Sequence, residues 1–166
     1  LSSIGDVSVR GDFTLDGGTI ESALQIEIQA AVAGTIYPFS GTVLAQLALK
    51  SGSPVLQLTE PLSVICGNAA AIFNPAGTVT VGNHTLTLES IPSSKPVIGN
   101  CTIGPAGVIT SDRPLDLFAG KTLSGDGTIN ADIDNAGTIT ATGDGLAFGG
   151  IVHGVGQGMN GVRFTF

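Results

Sequence analysis

The stretch GDGTINADIDNAGTIT, Gly125–Thr140, holds three aspartates, two asparagines and three glycines. Two readings compete for it: a calcium loop, or the strands and turns of a repeated β ladder. An EF-hand loop needs oxygen ligands at positions one, three and five, Gly at six and a bidentate Glu at twelve. Asp132 and Asp134 supply one and three, and Gly137 supplies six, but Ala136 stands at five and Gly143 at twelve. The glycine-and-aspartate repeat of calcium-binding β-rolls is missing too. Apolar Ile133 sits between the two carboxylates, as a strand would place it. The stretch therefore predicts Asp132 and Asp134 facing solvent around a core-facing Ile133, then a turn at Asn135-Ala136-Gly137. Asp132 and Asp134 are kept as calcium candidates; no other metal or cofactor is expected.

The same pattern recurs along the chain. Gly-Thr/Val-Ile/Val opens a strand-like run at Gly18, Gly34, Gly41, Gly77, Gly107, Gly127 and Gly137. From Gly77 onward these glycines are 30, 20 and 10 residues apart. A shared step near ten suggests a half-unit, and a full unit of about 20 residues falls among solenoid repeats. Between the glycines, apolar and polar residues alternate with period two, as in Leu24-Gln25-Ile26-Glu27-Ile28-Gln29. No segment of ten or more residues carries a convincing helical period.

Composition agrees. Charged residues make up 11% of the 166, less than half the usual share of about 25%. Lys and Glu are too rare to decorate helices, while Thr, Val, Ile, Leu and Gly dominate, as in strands broken by turns. The net charge is −7, and the six basic residues (Arg10, Lys50, Lys95, Arg113, Lys121, Arg163) are scattered. Nucleic-acid binding, which needs clustered positive charge, is not expected. Nor is membrane insertion, since no apolar run is long enough to span. Cys66 and Cys101 lack any metal-ligand spacing. They read equally as a disulfide in an oxidising compartment or as two buried apolar side chains. The chain starts at Leu1 with Val7-Ser8-Val9 already strand-like. That start is read as a mature chain or a piece of a longer one, so the lack of a signal peptide does not argue against secretion.

Two stretches carry a resemblance. LSGDGTINADIDNAGTITATGDGLAFGGIVHGVGQG, Leu123–Gly158, resembles the glycine-rich β-solenoid repeats of secreted bacterial surface proteins, including autotransporter-type passengers. GDFTLDGGTIESALQIEIQAAVAGTIYPFSGTVLAQLAL, Gly11–Leu49, is similar to a second recurrent pattern of those proteins. The resemblance implies a solenoid scaffold outside the cell. It implies no single activity, because that scaffold serves adhesins, coats, matrices and enzymes alike.

Catalytic constellations are not found. Glycoside cleavage needs two carboxylates across a cleft, and the acids here are spread singly. Asp112 beside Arg113 reads as a turn before Pro114. His84 and His153 lie in no nucleophile or base motif. Thr-x-Thr occurs at Thr78/Thr80, Thr85/Thr87 and Thr138/Thr140. These three instances share no period, so a flat hydroxyl array of the kind that binds ice is not expected. Asn83-His84-Thr85 and Asn100-Cys101-Thr102 fit the glycosylation triplet.

The expectation is an all-β protein: a right-handed parallel β-solenoid of about eight coils of roughly 20 residues, with a jelly-roll-like β-sandwich as the alternative. One domain covers 1–166, less regular over about 1–65 and more repetitive over about 66–166. Its expected role is structural and extracellular: a cell-surface, fibre, adhesin or biofilm-matrix protein rather than an enzyme. A solenoid without caps exposes strand edges at its ends. Val7 and Val9 at one end, and Phe164 and Phe166 at the other, are the expected assembly edges. They would pair with further coils of a longer chain or with identical subunits, giving a homo-oligomer or polymer. The competing reading is a carbohydrate-binding or carbohydrate-cleaving module.

Overall fold

Alternating β-branched residues form strands throughout, and no helix is present among the described residues. The computed structural model describes the backbone of residues 2–3, 5–154, 157–160 and 163–164, and the side chains within 5–154. Every strand pairing among them is parallel. Partners stand from 16 residues apart (Thr122 with Thr138) to 25 apart (Leu47 with Ile72). The chain is thus a β-solenoid of about seven turns, one fewer than the repeat length predicts. The β-sandwich alternative is excluded, since its hairpins would pair antiparallel.

Each coil crosses three faces in turn. Face A carries Val55–Leu58 (the first part of the strand Val55–Cys66), Thr78–Gly82, Asn100–Ile103, Thr122–Gly125 and Thr138–Ala141. Face B carries Thr85–Ser90, Val108–Ser111, Thr128–Asn130 and Ala147–Phe148. Face C carries Ile72–Phe73, Val97–Ile98, Leu115–Leu117, Ile133–Asn135 and Val152–His153. Along the axis, like stacks on like. Tyr37, Leu56, Val79, Cys101, Leu123 and Ile139 form one inward column on face A. Leu62, Leu86, Ile109, Ile129 and Phe148 form another on face B. All eleven are buried. One coil could not bury its apolar side alone, so each depends on its neighbours. Burying one such side chain fully contributes about 1.5–3 kcal/mol.

The N-terminal coils differ from expectation in an instructive way. They are the most continuous part of the solenoid. The single strand Ile36–Ser51 runs through all three faces, and Thr19–Gln29 and Val55–Cys66 each turn a corner. The bend after face A comes from a register shift between Phe39 and Gly41. Gly41 has φ of 91°, and a Cβ there would lie 2.5 Å from the Gly18 carbonyl oxygen. Corners made by a bulge and small residues leave no run of turn residues to read in sequence.

The later corners use side chains that reach into the backbone. Between faces C and A, buried Asn74 and Asn135 accept the N–H of Gly77 at 2.8 Å and of Gly137 at 2.9 Å. Between faces B and C, the Ala71 N–H donates to Ser90 Oγ at 2.7 Å, and the Ser90 N–H donates to Asp112 Oδ1 at 3.0 Å. The asparagine bonds close a turn within one coil, and the Ser90 and Asp112 bonds tie successive coils, so that these backbone groups are paired as burial demands.

Candidate functional site

The expected assembly edge at the N-terminal end is a strand. Val7–Val9 pairs with Ile26–Ile28 of the coil below, Val7 opposite Ile26 and Val9 opposite Ile28. Val9 is buried and Val7 half-buried. Neither Val7–Val9 nor Ser2–Ser3 pairs with any other described strand, so one edge of each is open among the described residues. Phe13 packs on Phe39 in the same region, ring centroids 5.6 Å apart. At the other end, Phe164 lies in the strand Arg163–Phe164, opposite Phe148. Phe166 lies outside the described residues.

Asp132 and Asp134 flank buried Ile133, as the alternation predicts, but they serve different partners. Asp132 sits at the corner between faces B and C and accepts the Ile151 N–H at 2.7 Å. Asp134 points outward on face C in a column with Asp116 and His153, and it is ion-paired to Lys95. That hydrogen bond raises the Lys95 pKa. Among the described residues no three His, Cys, Asp or Glu side chains converge on a metal-sized site.

Cys66 and Cys101 are buried free thiols, so the disulfide reading is corrected. Cys66 ends a face B strand, and Cys101 lies on face A two coils further on. Two coil steps amount to about 10 Å along the axis, beyond the roughly 7 Å reach of a disulfide between Cα atoms. Burial pushes the Cys101 thiol up to about 12.

The described concave features lie along the corner between faces B and C. A groove of about 480 Å³ is lined by Asp6, Leu24, Gln25, Gln46, Asn68 and Ala69. Another, of about 320 Å³, holds Asp112, Arg113, Asn130 and Asp132. Its two carboxylates each spend an oxygen on a backbone N–H of a neighbouring coil, Asp112 on Ser90 and Asp132 on Ile151. The Arg113 Nε is buried without a hydrogen bond, 3.7 Å from Asp112 Oδ2. This is the chemistry of a corner clamp more than of an acid–base pair. On face C of the first coils, Glu27 accepts from Lys50 at 2.6 Å, Gln25 at 2.7 Å and Gln29 at 2.8 Å. The Lys50 hydrogen bond is the main cause of a lowered Glu27 pKa.

One array escapes the linear reading altogether. On the outer side of face A, Thr78, Asn100, Thr122 and Thr138 form one column, and Thr80, Thr102, Ser124 and Thr140 form the next. Thr-x-Thr, Asn-x-Thr, Thr-x-Ser and Thr-x-Thr therefore stand in register on four successive coils. Two of the three Thr-x-Thr pairs, Thr78/Thr80 and Thr138/Thr140, thus belong to one array, which corrects the expectation of no hydroxyl array, while Thr85/Thr87 lies apart on face B. The four motifs are spaced 22, 22 and 16 residues apart along the chain, from Thr80 to Thr140, yet they align because the corners absorb the difference. A search on Thr-x-Thr alone misses the two middle coils.

Comparison with family models, with curated proteins and with solved structures gives no match for this chain.

Proposed function

We propose that this chain is a structural segment of an extracellular surface, fibre or matrix protein, joined end to end with further coils. The observation that carries this reading is the strand Val7–Val9, paired on one side only among the described residues and seated on a continuous apolar core. An unpaired edge is a template for another strand. The added coil belongs either to the same longer chain or to a second copy. The low charge favours such stacking, because few repulsive groups guard the edge. The solenoid supplies length and rigidity, and its chemistry lies in what its faces contact.

Negative-stain electron microscopy and light scattering of the purified chain test the self-assembly form. Filaments that shorten or vanish with Ser8→Pro, which removes a backbone donor from the edge strand, support pairing through Val7–Val9. Monodisperse single particles at all concentrations overturn self-assembly and leave the reading of a segment within a longer chain. The corner groove holding Asp112, Arg113 and Asp132 supports a second reading, a carbohydrate-binding or carbohydrate-cleaving module. Glycan-array binding lost with Arg113→Ala would favour it.

A further inference from the structure

We propose that the outer side of face A binds the ordered water lattice of ice through the array from Thr78 to Thr140. Four coils present eight positions in two columns: six Thr, one Ser and one Asn. Parallel pairing sets the step along each column at about 4.8 Å, and the two-residue spacing within a strand sets the columns about 6.6 Å apart. The array is thus a small two-dimensional grid of hydroxyl and methyl groups. Among the four coils the register breaks only after Thr102; the pairing of the last coil with Gln157–Asn160 shifts between Thr138 and Thr140, which ends the grid there.

Three further observations point to water as the occupant. First, the six Thr hydroxyls make no hydrogen bond to another described residue. The protein's own bonds in the array are Ser124 Oγ to the Cys101 carbonyl and the Thr122 N–H to Asn100 Oδ1. The hydroxyls are left with one donor and two acceptor sites each for solvent. Second, the array carries no charge, and the outward residues that continue it toward the N-terminus, Ile36, Pro38, Val55 and Gln57, carry none either. The ion pairs Lys50–Glu27 and Lys95–Asp134 are on face C. A strongly hydrated ammonium would impose its own water shell on the grid. Third, no aromatic ring lies in the array. A neutral polysaccharide crystal would also suit an uncharged face, but stacking on sugar rings is aromatic work. The β-branched Thr side chains are stiff at χ1, so the hydroxyls are held before water arrives and little ordering entropy is lost on binding.

The test is ice-affinity partition, with ice-crystal shaping observed in a nanolitre droplet. The native chain is compared with Thr102→Lys, with Thr110→Lys on face B as the control. Both positions face outward, so circular dichroism should show the same fold in all three. The native chain and Thr110→Lys are expected to enter growing ice and facet crystals, and Thr102→Lys is expected to lose both. Exclusion of the native chain from ice overturns the proposal, as does binding to cellulose or chitin without entry into ice. Equal loss in both variants overturns the assignment to face A.

Discussion

Leu123→Ala measures how much one inward column contributes. Leu123 is fully buried on face A, between Cys101 on one coil and Ile139 on the next. The change removes three carbons, which at about 0.8 kcal/mol each is about 2.4 kcal/mol of lost transfer energy. A residual cavity of about 50 Å³ would add about 1.2 kcal/mol at roughly 24 cal/mol per Å³. The expected loss is therefore about 3.6 kcal/mol. It falls on two coil interfaces at once, because each coil touches only its neighbours. Leu24→Ala is the matched control: Leu24 is 55% exposed, and its truncation should cost no more than about 0.5 kcal/mol. Urea denaturation followed by far-UV circular dichroism, extrapolated linearly to water, gives both values. Two variants within about 1 kcal/mol of each other would refute the stacked-column account of stability.

Three more outcomes are expected. Asn135→Ala should cost about 1–3 kcal/mol by leaving the buried Gly137 N–H without its 2.9 Å acceptor; an unchanged urea midpoint would mean that water replaces the side chain. Glu27 lies below its ordinary value of 4.5 mainly through Lys50. A depressed carboxylate stabilises fully above its unfolded pKa, and that contribution is lost as pH falls through the folded value. Lys50→Met should therefore move the Glu27 titration upward by NMR and flatten part of the acid-side fall in Tm, and an unmoved titration would discard the ion pair. Finally, the native chain should resist a thiol-specific chromogenic reagent at pH 8, since both thiols are buried and burial pushes that of Cys101 up to about 12. In guanidinium without reductant both should react, and no reaction there would reinstate the disulfide.

The class of fold was legible because two signals agree: period-two alternation, and glycines spaced by multiples of ten from Gly77. The outward placement of Asp132 and Asp134 around Ile133 followed from alternation alone. What stayed hidden depends on which coil lies beside which. Ile36–Ser51 looked irregular because its corners are a bulge at Gly41 and the small residue Ala45, with no turn cluster to read. Thr102 and Ser124 looked unremarkable because their neighbours in the array stand 22 and 16 residues away, across corners of unequal length. Asn74 and Asn135 both precede a glycine by two or three residues, which was a readable turn signal. Their burial was not readable, because it requires the coil stacked beside them.

The parallel stacking of coils also fixes how the molecule responds to force. Tension along the axis loads the hydrogen bonds of one interface at a time, like a zip. The chain should therefore lengthen in steps as successive coils peel away, with no single rupture. The 22 residues from Thr102 to Ser124 would release about 75 Å of extended chain. The 16 from Ser124 to Thr140 would release about 55 Å. Unequal coil lengths, which the folded faces conceal, would reappear as unequal steps in the extension trace.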